Sequence, residues 1–161
     1  MPEPRLREAV ESDLPLIASL IRELADYERL LHEVRLTEAG LRDALFGERR
    51  YAEVVIAEAG DGEPAGFALF FHNFSTFLGR PGIYLEDLFV RPPYRGAGIG
   101  KALLRHLARL AEERGCGRLE WAVLDWNAPA IEFYLGLGAR PAAGWNVYRL
   151  EGEALGRLAG S

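Results

Sequence analysis

The stretch Y-L-E-D-L-F-V-R-P-P-Y-R-G-A-G-I-G-K at 84–101 constrains this chain more than any other. Residues 84–90 are apolar apart from Glu86 and Asp87, which predicts a buried strand. Arg91-Pro92-Pro93-Tyr94 then makes a turn, because two prolines remove two backbone donors and fix φ. From Arg95-Gly96-Ala97-Gly98-Ile99-Gly100-Lys101 a helix opens and continues through Leu103, Leu104, Leu107 and Leu110 at helical spacing. Glycines at a helix start let backbone N–H groups approach a ligand, with the positive end of the helix dipole behind them. Such an arrangement suits a phosphate group.

The spacing narrows the choice of phosphate ligand. A P-loop needs four residues between its glycines and a hydroxyl residue after the lysine. Here Gly96 and Gly100 enclose three residues, and Ala102 follows Lys101. A dinucleotide fingerprint needs G-x-G-x-x-G, whereas this loop reads G-x-G-x-G. R-G-A-G-I-G directly after a strand ending L-F-V instead resembles the acyl-CoA pyrophosphate loop of the GNAT N-acetyltransferase superfamily.

Composition excludes several other classes. A net charge of −5 and a pI near 5.3 argue against nucleic acid as a partner. No apolar run approaches the ~20 residues of a membrane helix, and Met1-Pro2-Glu3-Pro4 lacks the basic and apolar regions of a signal peptide. The expectation is a cytoplasmic protein without a membrane partner. The single cysteine, Cys116, excludes an internal disulfide. His32, His72 and His106 have no ligand spacing, so no metal is expected, and no G-x-S-x-G marks a hydrolase. With 161 residues and no composition shift, linker or repeat, one domain spanning 1–161 is expected.

Along the chain, 5–10 reads as a first strand. Ser12 or Asp13 is expected to cap a helix running to Leu31, with Pro15 in its first turn. Glu23, Asp26, Tyr27 and Glu28 gather at the end of that helix, followed by Glu33. Each carboxylate alone suits a solvated helix end; together they could line a diamine site. A second helix starts at Thr37 and ends near Phe46-Gly47. Residues 51–59 and 65–74 read as strands joined by the hairpin Gly60-Asp61-Gly62-Glu63, and 74–82 as a loop. After the central helix come a strand at 118–124, a helix capped by Asn127, a strand at 145–150 and a terminal helix at 152–158. The fold class is α/β: a mixed, mostly antiparallel sheet flanked by helices, with a β-α-β-α-β C-terminal half.

The junction L-D-W-N-A-P-A-I-E-F-Y-x-x-L-G-A is the second feature that resembles the GNAT superfamily. Arg22-Glu23-Leu24-Ala25-Asp26-Tyr27-Glu28, Phe46-Gly47, Tyr84-Leu85-Glu86-Asp87, Gly144-Trp145 and Gly152-Glu153-Ala154 extend the likeness. They resemble the diamine (spermidine/spermine) acetyltransferase family, in the branch called thialysine acetyltransferase. The resemblance implies acetyl-CoA as co-substrate, a small primary amine as acceptor (thialysine- or lysine-like, or a polyamine) and a homodimer. It implies Glu86 as the base and Tyr134 as the acid that protonates the leaving thiolate. Leu88, Phe89 and Val90 would bind the pantetheine arm. Arg95, Gly96, Ala97, Gly98, Ile99, Gly100 and Lys101 would hold the pyrophosphate, and Asn127 and Tyr134 would also contact the cofactor. Tyr27, Glu28, Glu86 and Asp87 would neighbour the cationic acceptor. Phe77 stands where the family has tryptophan, and Ala143 where it has an acidic residue; both departures fall around the acceptor.

The chemistry requires such groups. A lysine-like amine, with a pKa of about 10.4, must lose a proton before its lone pair can attack a thioester. Glu86 lies between apolar neighbours, so desolvation is expected to raise its pKa toward that of a useful base. Strand alternation puts Glu86 and Asp87 on opposite faces unless a bulge intervenes. A thiolate of pKa about 8.5 can take a proton from a phenol of pKa about 10 held close to it. Two other readings keep the fold and change the role: an acetyltransferase for protein or peptide amines, and a CoA-binding regulatory module without catalysis.

Overall fold

The computed structural model describes residues 3–160, which divide between two compact units, Met1–Leu124 and Asp125–Ser161. In the first unit, five strands form one sheet in the order β1-β2-β3-β4-β5. These are β1 (Arg5–Glu8), β2 (Glu53–Glu58), β3 (Pro64–Ser75), β4 (Arg80–Val90) and β5 (Leu119–Trp121). The first four run antiparallel, whereas β5 lies parallel to β4 and pairs only with Ile83, Tyr84 and Leu85. Helices α1 (Leu14–Tyr27), α2 (Glu38–Phe46) and α3 (Ile99–Glu113) complete this unit. The α/β class and the mixed, mostly antiparallel sheet agree with the sequence reading.

The core follows from two periodicities. Leu14, Ile17, Leu20 and Leu24 make one stripe of α1, which packs with Leu45 of α2 onto Val54, Ile56, Phe67 and Phe89 of the sheet. Val55 and Ala57 alternate with that set, so β2 is buried on both faces. On α3 the buried stripe is Ile99, Leu103, Leu104, Leu107 and Ala111.

Asp13 does not cap α1 with its side chain. Its carboxylate instead takes two bonds from Arg7, at 2.7 and 2.9 Å, and a third from the Val10 N–H at 2.8 Å. The Arg7 bonds chiefly hold Asp13 below the usual carboxylate range, against the opposing effect of burial. Asp13→Ala should therefore destabilise the fold by about 1–3 kcal/mol at neutral pH, since it removes two charge-assisted bonds from a half-buried guanidinium and leaves it Glu58 alone, at 3.4 Å. This stabilisation is present above the ordinary aspartate pKa and is lost as pH falls through the lower folded value. Urea titrations at pH 7 and pH 3 should thus show the deficit shrinking with acidity.

The expected helix to Leu31 ends four residues early, at Tyr27. Arg29 adopts φ +63°, and its N–H and that of Leu30 close onto the carbonyls of Asp26 and Ala25. This is the closure glycine ordinarily makes, as Gly115 (φ +70°) does at the end of α3. Without a glycine, the stop has no sequence signal.

The loop expected at 74–82 is mostly strand. β3 and β4 continue to Ser75 and Arg80, with Gly79 at φ +65° in a turn closed by Gly79 N–H to Ser75 O at 2.8 Å. Pro81 and Gly82, read as loop residues, sit in β4 opposite Phe74 and Asn73. The Pro81 carbonyl accepts from the Gly117 N–H instead.

In the second unit, Asn127 caps α4 (Ala128–Gly136), its Oδ1 accepting from the Ala130 N–H at 3.4 Å. Helix α5 (Gly152–Ala159) forms where expected. The strand expected at 145–150 does not form: that segment has no ladder, and Val147 and Tyr148 are 91% and 94% exposed. A strand exists only through a partner's backbone, and its unit offers two helices.

Candidate active site

The site in the first unit is built where β4 loses regularity. Leu69 faces Asp87, whereas Phe70 faces Leu85, so Glu86 is an extra residue without a partner on β3. This is the bulge on which the sequence reading was conditional. It changes which way the two carboxylates point. Asp87 shares a sheet face with Leu69 and with the Phe67–Phe89 pair, the face covered by α1.

Burial divides the pair opposite to expectation. Glu86 is exposed at the bulge rather than enclosed among apolar neighbours. Asp87 is the more enclosed carboxyl, half-buried. Burial first, then the charges of Glu86 and Glu28, push it up to about 7. Glu28, the residue after α1, is also raised, by burial and then by Glu86. Tyr84 is raised by burial, then by Glu86 and Glu120, and its ring lies 5.3 Å from that of Phe71.

Three carboxyls thus share one field, and among the described residues none of the three has a salt bridge. The wider cluster suggested by the sequence does not assemble. Glu23 is held by Arg91 at 2.8 and 3.0 Å, chiefly by those bonds kept below its usual pKa. Glu33 sits in solvent with His32 at 3.5 Å.

β5 stops beside Leu85, so Leu88, Phe89 and Val90 are paired with β3 on one edge and, among the described residues, with no strand on the other. An extended arm with amide groups could add along that edge. The Phe89 side chain is buried in the core, and the Val90 carbonyl accepts from Arg95 Nε at 2.8 Å.

Beyond a 3-10 turn at Pro92–Tyr94, Gly96 and Gly98 take φ +81° and +82°. A Cβ at either would meet no protein atom within 4 Å, so the space they leave is open. Gly98 is the N-cap of α3 and offers no side chain, leaving the N–H groups of Ile99, Gly100 and Lys101 without intrahelical acceptors. These donors fit a diphosphate. Lys101 is exposed, and the Ile99 side chain is buried under α3. Ala97 and Arg95 line a depression of about 370 Å³ with Tyr94, Ile99 and Asp61.

Arg95, expected among the pyrophosphate ligands, also meets two aromatic rings. Its guanidinium lies 5.0 Å from the ring centroid of Tyr27 and 5.5 Å from that of Phe89. Neither this contact nor Arg91–Glu23 was read from the sequence. The only available signal was matching four-residue spacing, 91/95 against 23/27. In the second unit, Tyr134 lies on α4 with its ring 5.7 Å from that of Phe133, and Asn127 caps the same helix.

The acetyltransferase (GNAT) family profile matches residues 17–139. A thialysine N-epsilon-acetyltransferase of Bos taurus is 44% identical over 165 residues, covering 96% of each chain. An L-ornithine N5-acetyltransferase of Arabidopsis thaliana is 36% identical over 195 residues, covering 94% of this chain and 86% of that one. Among solved structures, an integron cassette protein from the mobile metagenome of V. cholerae superposes with a TM-score of 0.81. It is 31% identical, with full coverage of both chains.

Proposed function

Because the chain belongs to the GNAT acetyltransferase family, whose co-substrate is acetyl-CoA, we propose that its acceptor is a small free amine of the thialysine, lysine or polyamine type. The observation that carries this reading is the trio Glu28, Glu86 and Asp87, which share one field and, among the described residues, form no salt bridge. Uncompensated carboxyls attract a cationic acceptor and repel anionic ones. The names of the bovine and Arabidopsis relatives point to the same class.

Acetyl-CoA supplies an activated acyl group, and its transfer to nitrogen makes an amide. The N–H groups of Ile99, Gly100 and Lys101 hold the diphosphate, and the open edge at Leu88 to Val90 receives the pantetheine. Glu28 and Asp87 hold the ammonium of the acceptor. Glu86, at the bulge, takes the proton from the attacking nitrogen. Tyr134, assigned on the family resemblance, returns a proton to the departing thiolate as the C–N bond forms and the C–S bond breaks. A thiolate of pKa about 8.5 leaves readily, so that help is modest. Tyr134→Phe should lower kcat about tenfold with acetyl-CoA affinity retained; wild-type turnover would move the acid elsewhere.

The deciding experiment measures thiol release with thialysine, lysine, ornithine, putrescine, spermidine and a lysine peptide as acceptors. The reading requires turnover with a free amine at least about tenfold above the peptide, some 1.4 kcal/mol in the transition state. The reverse ranking would make the chain a peptide acetyltransferase. Affinity for acetyl-CoA without turnover of any amine would make it a binding module.

A further inference from the structure

The sheet face that carries Asp87 continues past it toward β5. Leu69 faces Asp87 and Phe71 faces Tyr84, so Asp87 and Tyr84 stand one pleat repeat apart on that face. On the next strand, Glu120 is the partner of Tyr84. At about 6.8 Å per repeat along a strand and about 4.8 Å between strands, Glu120 lies roughly 8 Å from Asp87, backbone to backbone. Tyr84 stands between the two, and burial, then the charges of both Glu86 and Glu120, raise its hydroxyl. Its ring and that of Phe71, 5.3 Å apart and both half-buried, floor the interval with apolar surface.

The far end of this strip is a fixed polar group. Glu120 Oε1 accepts from Arg118 Nε at 2.9 Å and from Asn73 Nδ2 at 3.1 Å. Asn73 Oδ1 is itself buried and meets no donor among the described residues. Such an atom costs stability, and native chains keep few of them without a reason. Gly82 leaves the room for it, since a Cβ there would collide with that oxygen. The Arg118 carbonyl is held by the Ile83 N–H at 3.1 Å. Among the described residues, neither Glu120 Oε2 nor the two Nη groups of Arg118 have a hydrogen-bond partner. With the Arg118 and Glu120 side chains 46% and 35% exposed, a ligand can reach both.

We propose that Arg118 and Glu120 read the α-amino-acid head of a lysine-like acceptor, which makes this chain an amino acid acetyltransferase rather than a polyamine one. A lysine or thialysine side chain spans five bonds, about 6 Å when extended, from Cα to its terminal nitrogen. With that nitrogen held by Glu28 and Asp87, the chain lies over Tyr84 and Phe71. Its carboxylate meets the Nη groups of Arg118, and its α-ammonium meets Glu120 Oε2. The charge balance decides against a polyamine. Arg118 already neutralises Glu120, so a second ammonium is attracted by one and repelled by the other, whereas a zwitterion gains from both. This assignment rests on the amine acetyltransferase reading above and deepens it.

Three matched acceptors test it in the full chain: lysine, cadaverine (lysine without its carboxylate) and ε-aminocaproate (lysine without its α-amine). In the wild type, kcat/KM for lysine should exceed that for either analogue about tenfold or more, through KM. Arg118→Gln should lower kcat/KM for lysine about tenfold and raise it for cadaverine about threefold, because Glu120 is freed for the ammonium. Glu120→Gln should lower lysine by a similar factor and raise ε-aminocaproate, because Arg118 is freed for the carboxylate. A merely structural pair gives no such opposite signs, so an equal loss with all three acceptors in either variant would overturn the proposal. A wild type that takes cadaverine or spermidine as readily as lysine would overturn it too, and would leave the amine acetyltransferase reading standing. No turnover of any free amine would end both.

Discussion

Glu86→Gln is expected to lower kcat/KM by about a hundred- to a thousandfold at pH 7.5, the usual range for a lost general base. The accompanying pH profile carries more information than the drop. In the wild type, the acidic limb of kcat/KM should fall near pH 7, because Asp87 must be ionised to hold the ammonium and releases its proton at about 7. Burial is the largest cause of that value and the Glu86 charge the next, so the uncharged glutamine lets the Asp87 pKa fall. The limb should thus move to lower pH while its plateau drops. In Asp87→Asn the limb near 7 should vanish. If Glu86→Gln leaves the plateau at the wild-type level, the proton acceptor is Asp87 and Glu86 only tunes it.

Asp87→Asn should stabilise the fold at the pH where it harms catalysis. An ordinary aspartate ionises at 3.8, whereas Asp87 in the folded chain does so at about 7. Between those values the folded state holds a proton that the unfolded state has released. Stability therefore declines as pH rises from about 4 to 7 and levels off above. The full displacement corresponds to at most about 4 kcal/mol, less whatever the bulge recovers by relaxing. Asparagine removes this penalty. Denaturation curves of the two proteins should nearly coincide at pH 4 and separate progressively to pH 7.5, with the variant melting several degrees higher, at about 2–4 °C per kcal/mol. Parallel curves across that range would mean that Asp87 ionises normally. A half-buried carboxyl retained at such a cost is what a stability–activity trade-off looks like at a single residue.

These two carboxylates also separate what could be read in advance from what could not. Their neighbourhood was legible: an apolar strand, the Y-L-E-D segment, a proline turn and a glycine-opened helix all form where the residues indicate. Which of the two lies enclosed and which exposed was not. Glu86 stands in a stretch that is apolar apart from itself and Asp87, but burial is decided across the sheet. The slip in register between Leu69 and Phe70 turns Asp87 under α1 and leaves Glu86 in the open. The same limit explains the end of α1, where Arg29 does what glycine does elsewhere, and 145–150, read as a strand that found no ladder.

Features set within about four residues were determined by the chain alone. Thr37 caps α2 through the Gly40 N–H, Asn127 caps α4, and Gly96 and Gly98 supply positive φ before α3. Backbone torsions and adjacent donors decide these, and both are local. Tertiary structure alone decided the charge state of Asp87 and the partners of Arg91 and Arg95. Arg91 meets Glu23 across 68 residues of sequence, and Asp87 meets the charge of Glu28 only because α1 lies over that face of the sheet. Desolvation and Coulomb energy depend on distance through space, and no spacing along the chain encodes it.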